Sequence, residues 1–159
     1  NAVINALDVA PQKRLRFDFG TAASPLAPLY TRVTPATRYQ PVSGFGWLAG
    51  AVDARSRSGA DPLTRDFNFS RDATFAVDLP EAGYTVTVTV GDAAAAHDRI
   101  GIWVENEPMV EIGAVAAGHF VTRSFSIVLV TDGQLTVRLE DRGGADANAV
   151  INALEVSAP

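Results

Sequence analysis

Tyr84-Thr-Val-Thr-Val-Thr-Val90 decides the fold. In an extended chain its valines project to one face and its threonines to the other. β-branched residues at nearly every position favour strand over helix. The stretch is therefore a half-buried strand with an apolar inner face and a polar outer one. Working outward, the same two-residue alternation appears in Leu15-Arg-Phe-Asp-Phe19, Arg65-Asp-Phe-Asn-Phe69 and Thr74-Phe-Ala-Val-Asp78. Further strands are predicted at 99–105, 120–130, 134–140 and 150–156. Turn signals separate them: Pro80-Glu-Ala-Gly83, Asn106-Glu-Pro108, Asp132-Gly133 and Gly143-Gly144. No segment carries a sustained helical stripe. The fold class is all-β, a two-sheet antiparallel β-sandwich of the jelly-roll type. Its predicted core holds Phe17, Phe19, Phe67, Phe69, Phe75 and Val86, with Asp18 on the opposite face of its strand.

Bulk composition narrows the function. With 159 residues and 47% hydrophobic content, the chain can bury a full two-layer core without disulfides. The absence of cysteine excludes thiol catalysis and cysteine-ligated metal sites. A net charge of −5, with Lys13 the only lysine, leaves no basic footprint for nucleic acid. No apolar run approaches the roughly 18 residues of a membrane span, so membrane insertion is not expected. No signal peptide is visible, and export would depend on a targeting sequence outside this stretch.

An internal repeat sets the domain organisation. Asn1-Ala-Val-Ile-Asn-Ala-Leu-Asp-Val9 returns as Asn148-Ala-Val-Ile-Asn-Ala-Leu-Glu-Val156, identical at eight of nine positions. A repeat unit of about 147 residues is implied, with residues 1–11 the closing strand of a preceding copy plus linker and residues 12–159 a single β-sandwich module. The alternative is one domain with two similar edge strands.

One region breaks the strand rhythm. From Thr21 to Pro62 the chain is rich in Pro, Gly, Ser and Thr and holds Tyr30, Tyr39, Phe45 and Trp47. Long loops in compact domains are commonly functional, so specificity is expected here. Phe17-Asp-Phe-Gly20, Tyr30-Thr-x-Val33, Tyr39 and Gly44-Phe-Gly-Trp47 resemble the opening of galactose-binding-like modules found beside rhamnogalacturonan acetylesterases and in large bacterial surface proteins. Phe75-Ala-Val-Asp-Leu-Pro-x-x-Gly-Tyr84-Thr-Val-Thr-Val-x-x-Gly-Asp92 and Val150-Ile-Asn-Ala-Leu154 resemble malectin and its bacterial relatives. The resemblance implies a carbohydrate-binding jelly roll that grips sugar through early-loop aromatics and an acidic residue before the last strand. Those elements map to Tyr39 and Trp47, and to Asp146 or Asn148. Where relatives place a further aromatic, this chain has Ala93-Ala-Ala-Ala96, leaving His97 and Asp98 as the polar candidates there.

Strand parity brings the loops 91–98, 113–119 and 141–148 to one end, so Asp98, His119, Asp146 and Asn148 are expected to converge with the long loop. Each residue also has a plainer role. Trp47 is a stacking platform or a plug in the sandwich, and Asp146 a ligand or a turn residue. Trp103, within a strand, is read as structural. His97, Asp98 and His119 lack the clustered ligands of a zinc site. Asp92, Asp98, Asp141 and Asp146 offer hard oxygens for a structural calcium, the one cofactor possibility beside none at all.

Asp66 with Asp72, or Glu105 with Glu107, could in principle serve as glycosidase carboxylates, but two such pairs are expected by chance among 18 acidic residues, and no hydrolase or phosphate-binding motif occurs. The chain is therefore expected not to be an enzyme. It is expected to be a carbohydrate-binding module of a secreted or cell-surface tandem-repeat protein, with a polysaccharide or glycan and neighbouring copies of itself as partners. The alternative is a structural spacer or adhesion repeat without sugar binding.

Overall fold

A computed structural model describes residues 14–59 and 61–159, so the Asn1–Val9 copy of the repeat lies outside the described residues. The strands are β1 (Leu15–Phe19), β2 (Thr31–Val33), β3 (Phe45–Ala49), β4 (Asp53–Ser56), β5 (Asp66–Ser70), β6 (Asp72–Asp78) and β7 (Ala82–Asp92). They continue as β8 (Ile100–Val104), β9 (Glu107–Ile112), β10 (His119–Val130), β11 (Gln134–Asp141), β12 (Ala149–Ile151) and β13 (Ala153–Ser157). Among the described residues there is no helix.

One five-stranded sheet has the order β10-β7-β13-β1-β2, and the other β3-β6-β11-β8-β9. Their inner faces share one core. Val86, Val88 and Val90 of β7 are fully buried, as the alternation predicted, and meet Ile100, Ile102, Leu135 and Leu139 in that core. Pairing is antiparallel except between β1 and β2. A smaller sheet, β12-β5-β4, lies apart from these two in hydrogen bonding.

Three features depart from the sequence reading. The stretch Thr21–Pro62 is not a plain loop, since β2, β3 and β4 form within it. The β9 strand follows a tight turn in which Glu105 and Asn106 both have positive φ, the backbone that closes a two-residue hairpin. The single closing strand expected at 150–156 is two strands. Val150 pairs with Phe69 in the small sheet, while Leu154 pairs with Val88 and Phe17 in a large one. Asn152 makes the switch between them.

An aromatic cluster fills the core beside β1. Phe75 packs edge-on against Phe17, Phe19 and Trp47, with ring centroids 5.1–5.3 Å apart. Such pairs add about 0.5–1.5 kcal/mol each beyond area burial. Asp18 does point away from Phe17 and Phe19, but it too is buried. Its Oδ2 accepts the Ala27 amide at 2.8 Å because the chain after β1 folds back over that face.

Candidate functional site

A pocket of about 140 Å³ opens where the small sheet meets the end of β7 and the loops that follow β7 and β11. On one wall, Phe67 and Phe69 of β5 face Arg55 and Arg57 across the β4 pairing. The Arg55 guanidinium lies 5.4 Å from the Phe69 ring centre, and that of Arg57 lies 5.6 Å from Phe67. Phe67 is buried, whereas Phe69, expected in the core, is only partly so and lines the opening.

The opposite wall is a chain of charged groups. Arg57 donates two hydrogen bonds to Asp92, Nε to Oδ1 at 2.8 Å and Nη2 to Oδ2 at 2.6 Å. This bidentate geometry is the strong form of the Arg–carboxylate contact. Asp92 also accepts the Ala94 amide at 2.8 Å, and the His97 Nε2 stands 3.4 Å from its Oδ2. Burial alone would raise the Asp92 carboxyl, but Arg57, the Ala94 amide and His97 outweigh it and hold Asp92 at about 2. His97 Nδ1 hydrogen-bonds Asp146 Oδ2. Asn148 Nδ2 reaches Asp146 Oδ1 at 3.4 Å.

Asp98 positions this wall without entering the pocket lining. Its two oxygens accept the Ala145 and Asp146 amides at 2.9 and 3.1 Å, and these bonds hold its carboxyl below the usual range. Ala95 and Ala96 line the opening, so the alanine run standing where an aromatic was expected leaves room there.

His97, Asp98, Asp146 and Asn148 thus meet at one end of the sandwich. Trp47 and Tyr39 do not join them. Trp47 is 2% exposed and wedged against Phe19 and Phe75, so the stacking role expected for it is corrected: a sugar cannot reach its ring. Tyr39 donates to Asp78 at 3.0 Å, beside Gln134, which donates to the same carboxylate. Asp78 closes β6 next to the start of β7, while Asp92 ends the 11-residue β7, roughly 30 Å further along the strand. His119 pairs with Asp92 in register but is exposed and outside the pocket lining.

Arg55 and Arg57 were missed in the sequence, where they fall inside the Thr21–Pro62 stretch whose aromatics drew the attention. Their signal was the two-residue spacing, which matches that of Phe67 and Phe69 on the partner strand. The four acids proposed for calcium are engaged otherwise. Asp92, Asp98 and Asp146 hold the contacts above, and Asp141 accepts the Gly143 amide. Among the described residues no three His, Cys, Asp or Glu side chains gather to hold a metal. Of the carboxylates weighed for glycosidase chemistry, each pair has a member that is buried or held by another partner. Asp66 is buried, Asp72 is bound bidentately by Arg138, and Glu105 accepts both the amide and the hydroxyl of Thr136.

Comparison with known proteins bears on this arrangement. The family model described as "Beta-agarase/YXIM esterase-like, galactose-binding domain-like" matches residues 15–157. Beta-agarase A of Zobellia galactanivorans is 34% identical over 136 residues, 82% of this chain and 24% of that protein. The crystal structure of the YXIM protein of Bacillus subtilis matches with a TM-score of 0.71 at 28% identity, covering 92% of this chain and 40% of that one. A beta-glucuronidase of Bacteroides uniformis matches with a TM-score of 0.64 at 13% identity, covering 92% of this chain and 18% of the enzyme, and shares the fold alone. The chain therefore spans about a quarter of the agarase and two fifths of the YXIM protein.

Proposed function

The chain belongs to the beta-agarase/YXIM esterase-like galactose-binding domain family, and from that membership we propose that it is a non-catalytic carbohydrate-binding module. One observation carries the reading: the pocket joins a partly exposed aromatic edge, Phe69, to guanidinium, carboxylate and amide groups at Arg55, Asp146 and Asn148. Sugar recognition asks for this mixture, an apolar surface for ring C–H groups and planar polar groups for paired hydroxyls. Asp92 and Arg57 act behind them, fixing the wall by their mutual bond rather than by reaching ligand.

The ligand is a polysaccharide. Agarose is the first candidate because a relative is named beta-agarase A, and rhamnogalacturonan the second because the opening motifs resemble modules found beside rhamnogalacturonan acetylesterases. Polymers of this size lie outside cells, so the module works in a secreted or cell-surface protein. The repeated nonapeptide supports tandem copies, which would raise weak single-site affinity through avidity. The same repeat favours the second reading, a spacer module in a long extracellular array.

Affinity electrophoresis separates the two. Migration through gels containing agarose, galactan or rhamnogalacturonan should be retarded on at least one. Asp146→Ala should weaken that retardation about tenfold, a loss of ~1.4 kcal/mol. Unretarded migration on every polysaccharide would leave the spacer reading standing.

A further inference from the structure

Away from the pocket, four buried oxygen atoms have no hydrogen-bond partner: Asp18 Oδ1, Asp66 Oδ1, Asn68 Oδ1 and Asn152 Oδ1. Their residues are 2%, 1%, 0% and 0% exposed. They come from β1, from β5 and from the switch between β12 and β13, and backbone contacts tie these segments together. The Phe19 amide donates to Asn152 O at 2.9 Å, Asn152 Nδ2 to Asp66 O at 2.8 Å, and Asn68 Nδ2 to Gly20 O at 2.9 Å. The Asp66 carboxylate sits directly on Gly20, where an added Cβ would fall 1.8 Å from its Oδ2.

Every unpartnered atom in this group is an acceptor. The two asparagines spend their NH₂ groups on carbonyls, which fixes the amide orientation and leaves each Oδ1 facing inward as an oxygen donor to a cation. Of the two nearby cations, Arg32 commits its Nη1 to the Thr21 carbonyl at 2.7 Å and Arg65 its Nη2 to the Arg57 carbonyl at 3.2 Å. Burial raises the Asp66 carboxyl while Ser24, the Thr21 amide, Arg32 and Arg65 oppose the rise, and its Oδ1 has no hydrogen-bond partner. One water has two hydrogens to give, so it leaves two of these acceptors unmet. A cation answers all four at once.

The donor set selects the cation. Two carboxylates and two amide carbonyls are hard oxygen ligands, with no nitrogen or sulfur for zinc. Magnesium sheds its waters reluctantly and suits a wetter site, whereas calcium accepts a dry, irregular oxygen cage. We propose that the chain binds one Ca²⁺ among Asp18, Asp66, Asn68 and Asn152, fastening the first strand to the closing one. Burial pushes the Asp18 carboxyl up to about 6; the Ala27 amide and Arg32 oppose the rise and Asp66 adds to it.

Calcium titrated into chelator-treated protein tests this. Calorimetry should find one ion per chain, and the melting temperature should rise with calcium. In Asp66→Asn, which keeps the shape and removes a charge, both responses should vanish, while Asp98→Asn should keep them. Absence of calcium binding to the wild-type chain would overturn the proposal even if Asp66→Asn failed to fold. Retention of both responses by Asp66→Asn, or their loss in Asp98→Asn alone, would overturn it too by placing the ion elsewhere.

Discussion

The aromatic cluster of Phe17, Phe19, Trp47 and Phe75 and the pocket of Arg57, Asp92, His97 and Asp146 are both side-chain constellations drawn from distant parts of the chain. They are held together by opposite physics. The aromatic cluster is stabilised by apolar area and edge-on rings, and tolerates no ligand because no surface is left. The pocket is held by directional bonds between charges: Arg57 and Asp146 stay partly open to water, with Asp92 and His97 buried behind them. An aromatic residue in a sugar-binding fold is thus not by itself a sugar platform. What lies on its two faces decides.

The sharpest way to break this comparison is Trp47→Ala. A cavity of that size in a close-packed core should cost about 3–5 kcal/mol by urea denaturation, with sugar affinity unchanged in the folded fraction. A variant of wild-type stability that no longer binds sugar would make Trp47 a platform after all.

A smaller effect is expected at Asp92. Its folded-state carboxyl, at about 2, lies below its unfolded value near 3.9, so it contributes stability that is complete above pH ~4 and lost as the pH falls through about 2. The shift corresponds to about 2–3 kcal/mol. Acid unfolding should therefore be steep between pH 4 and 2 in the wild type and flatter in Asp92→Asn, which should already be destabilised at pH 7. Parallel pH profiles would show that Arg57 is not what stabilises this carboxylate.

The smallest effect sharpens the contrast. Tyr39→Phe removes only a bond to Asp78 at the far end of the sandwich, so melting should change by an amount equivalent to less than ~0.5 kcal/mol. Glycan retardation should not change at all. A loss of retardation would extend the binding surface across the whole sandwich.

Much of this was legible in the sequence, and the reasons differ by region. The Tyr84–Val90 alternation announced its strand because one face is buried and the other, bonded through Thr87 to Ser124 and Thr89 to Thr122, is exposed. The break at Asn152 was hidden, since Val150, Ile151, Ala153 and Leu154 are all buried and a strand packed on both faces shows no alternation. Asp146, Asn148 and His97 were reached through family position and loop parity. Arg55 and Arg57 were not, because a charged pair spaced by serines looks solvated until its aromatic partners are known. Trp47 was left between two roles because flanking glycines suit both an exposed loop and a tightly packed strand. Gly46, whose φ is +145° and whose Cβ would lie 2.4 Å from the Tyr39 backbone nitrogen, belongs to the second.

The closing strand's position has a kinetic consequence. β13 lies between β7 and β1, so before it docks that sheet exists only as two separate pairs. Between β13 and its partner β1 lies almost the whole of the module's sequence, with Leu15 facing Val156. The longest loop in the chain must therefore close before the sheet is complete, and non-local pairing of this kind is slow. On a ribosome the module cannot finish folding until its last residues emerge. Until then the edges of β1 and β7 stand open, and the chain is at its most vulnerable to pairing with a neighbour.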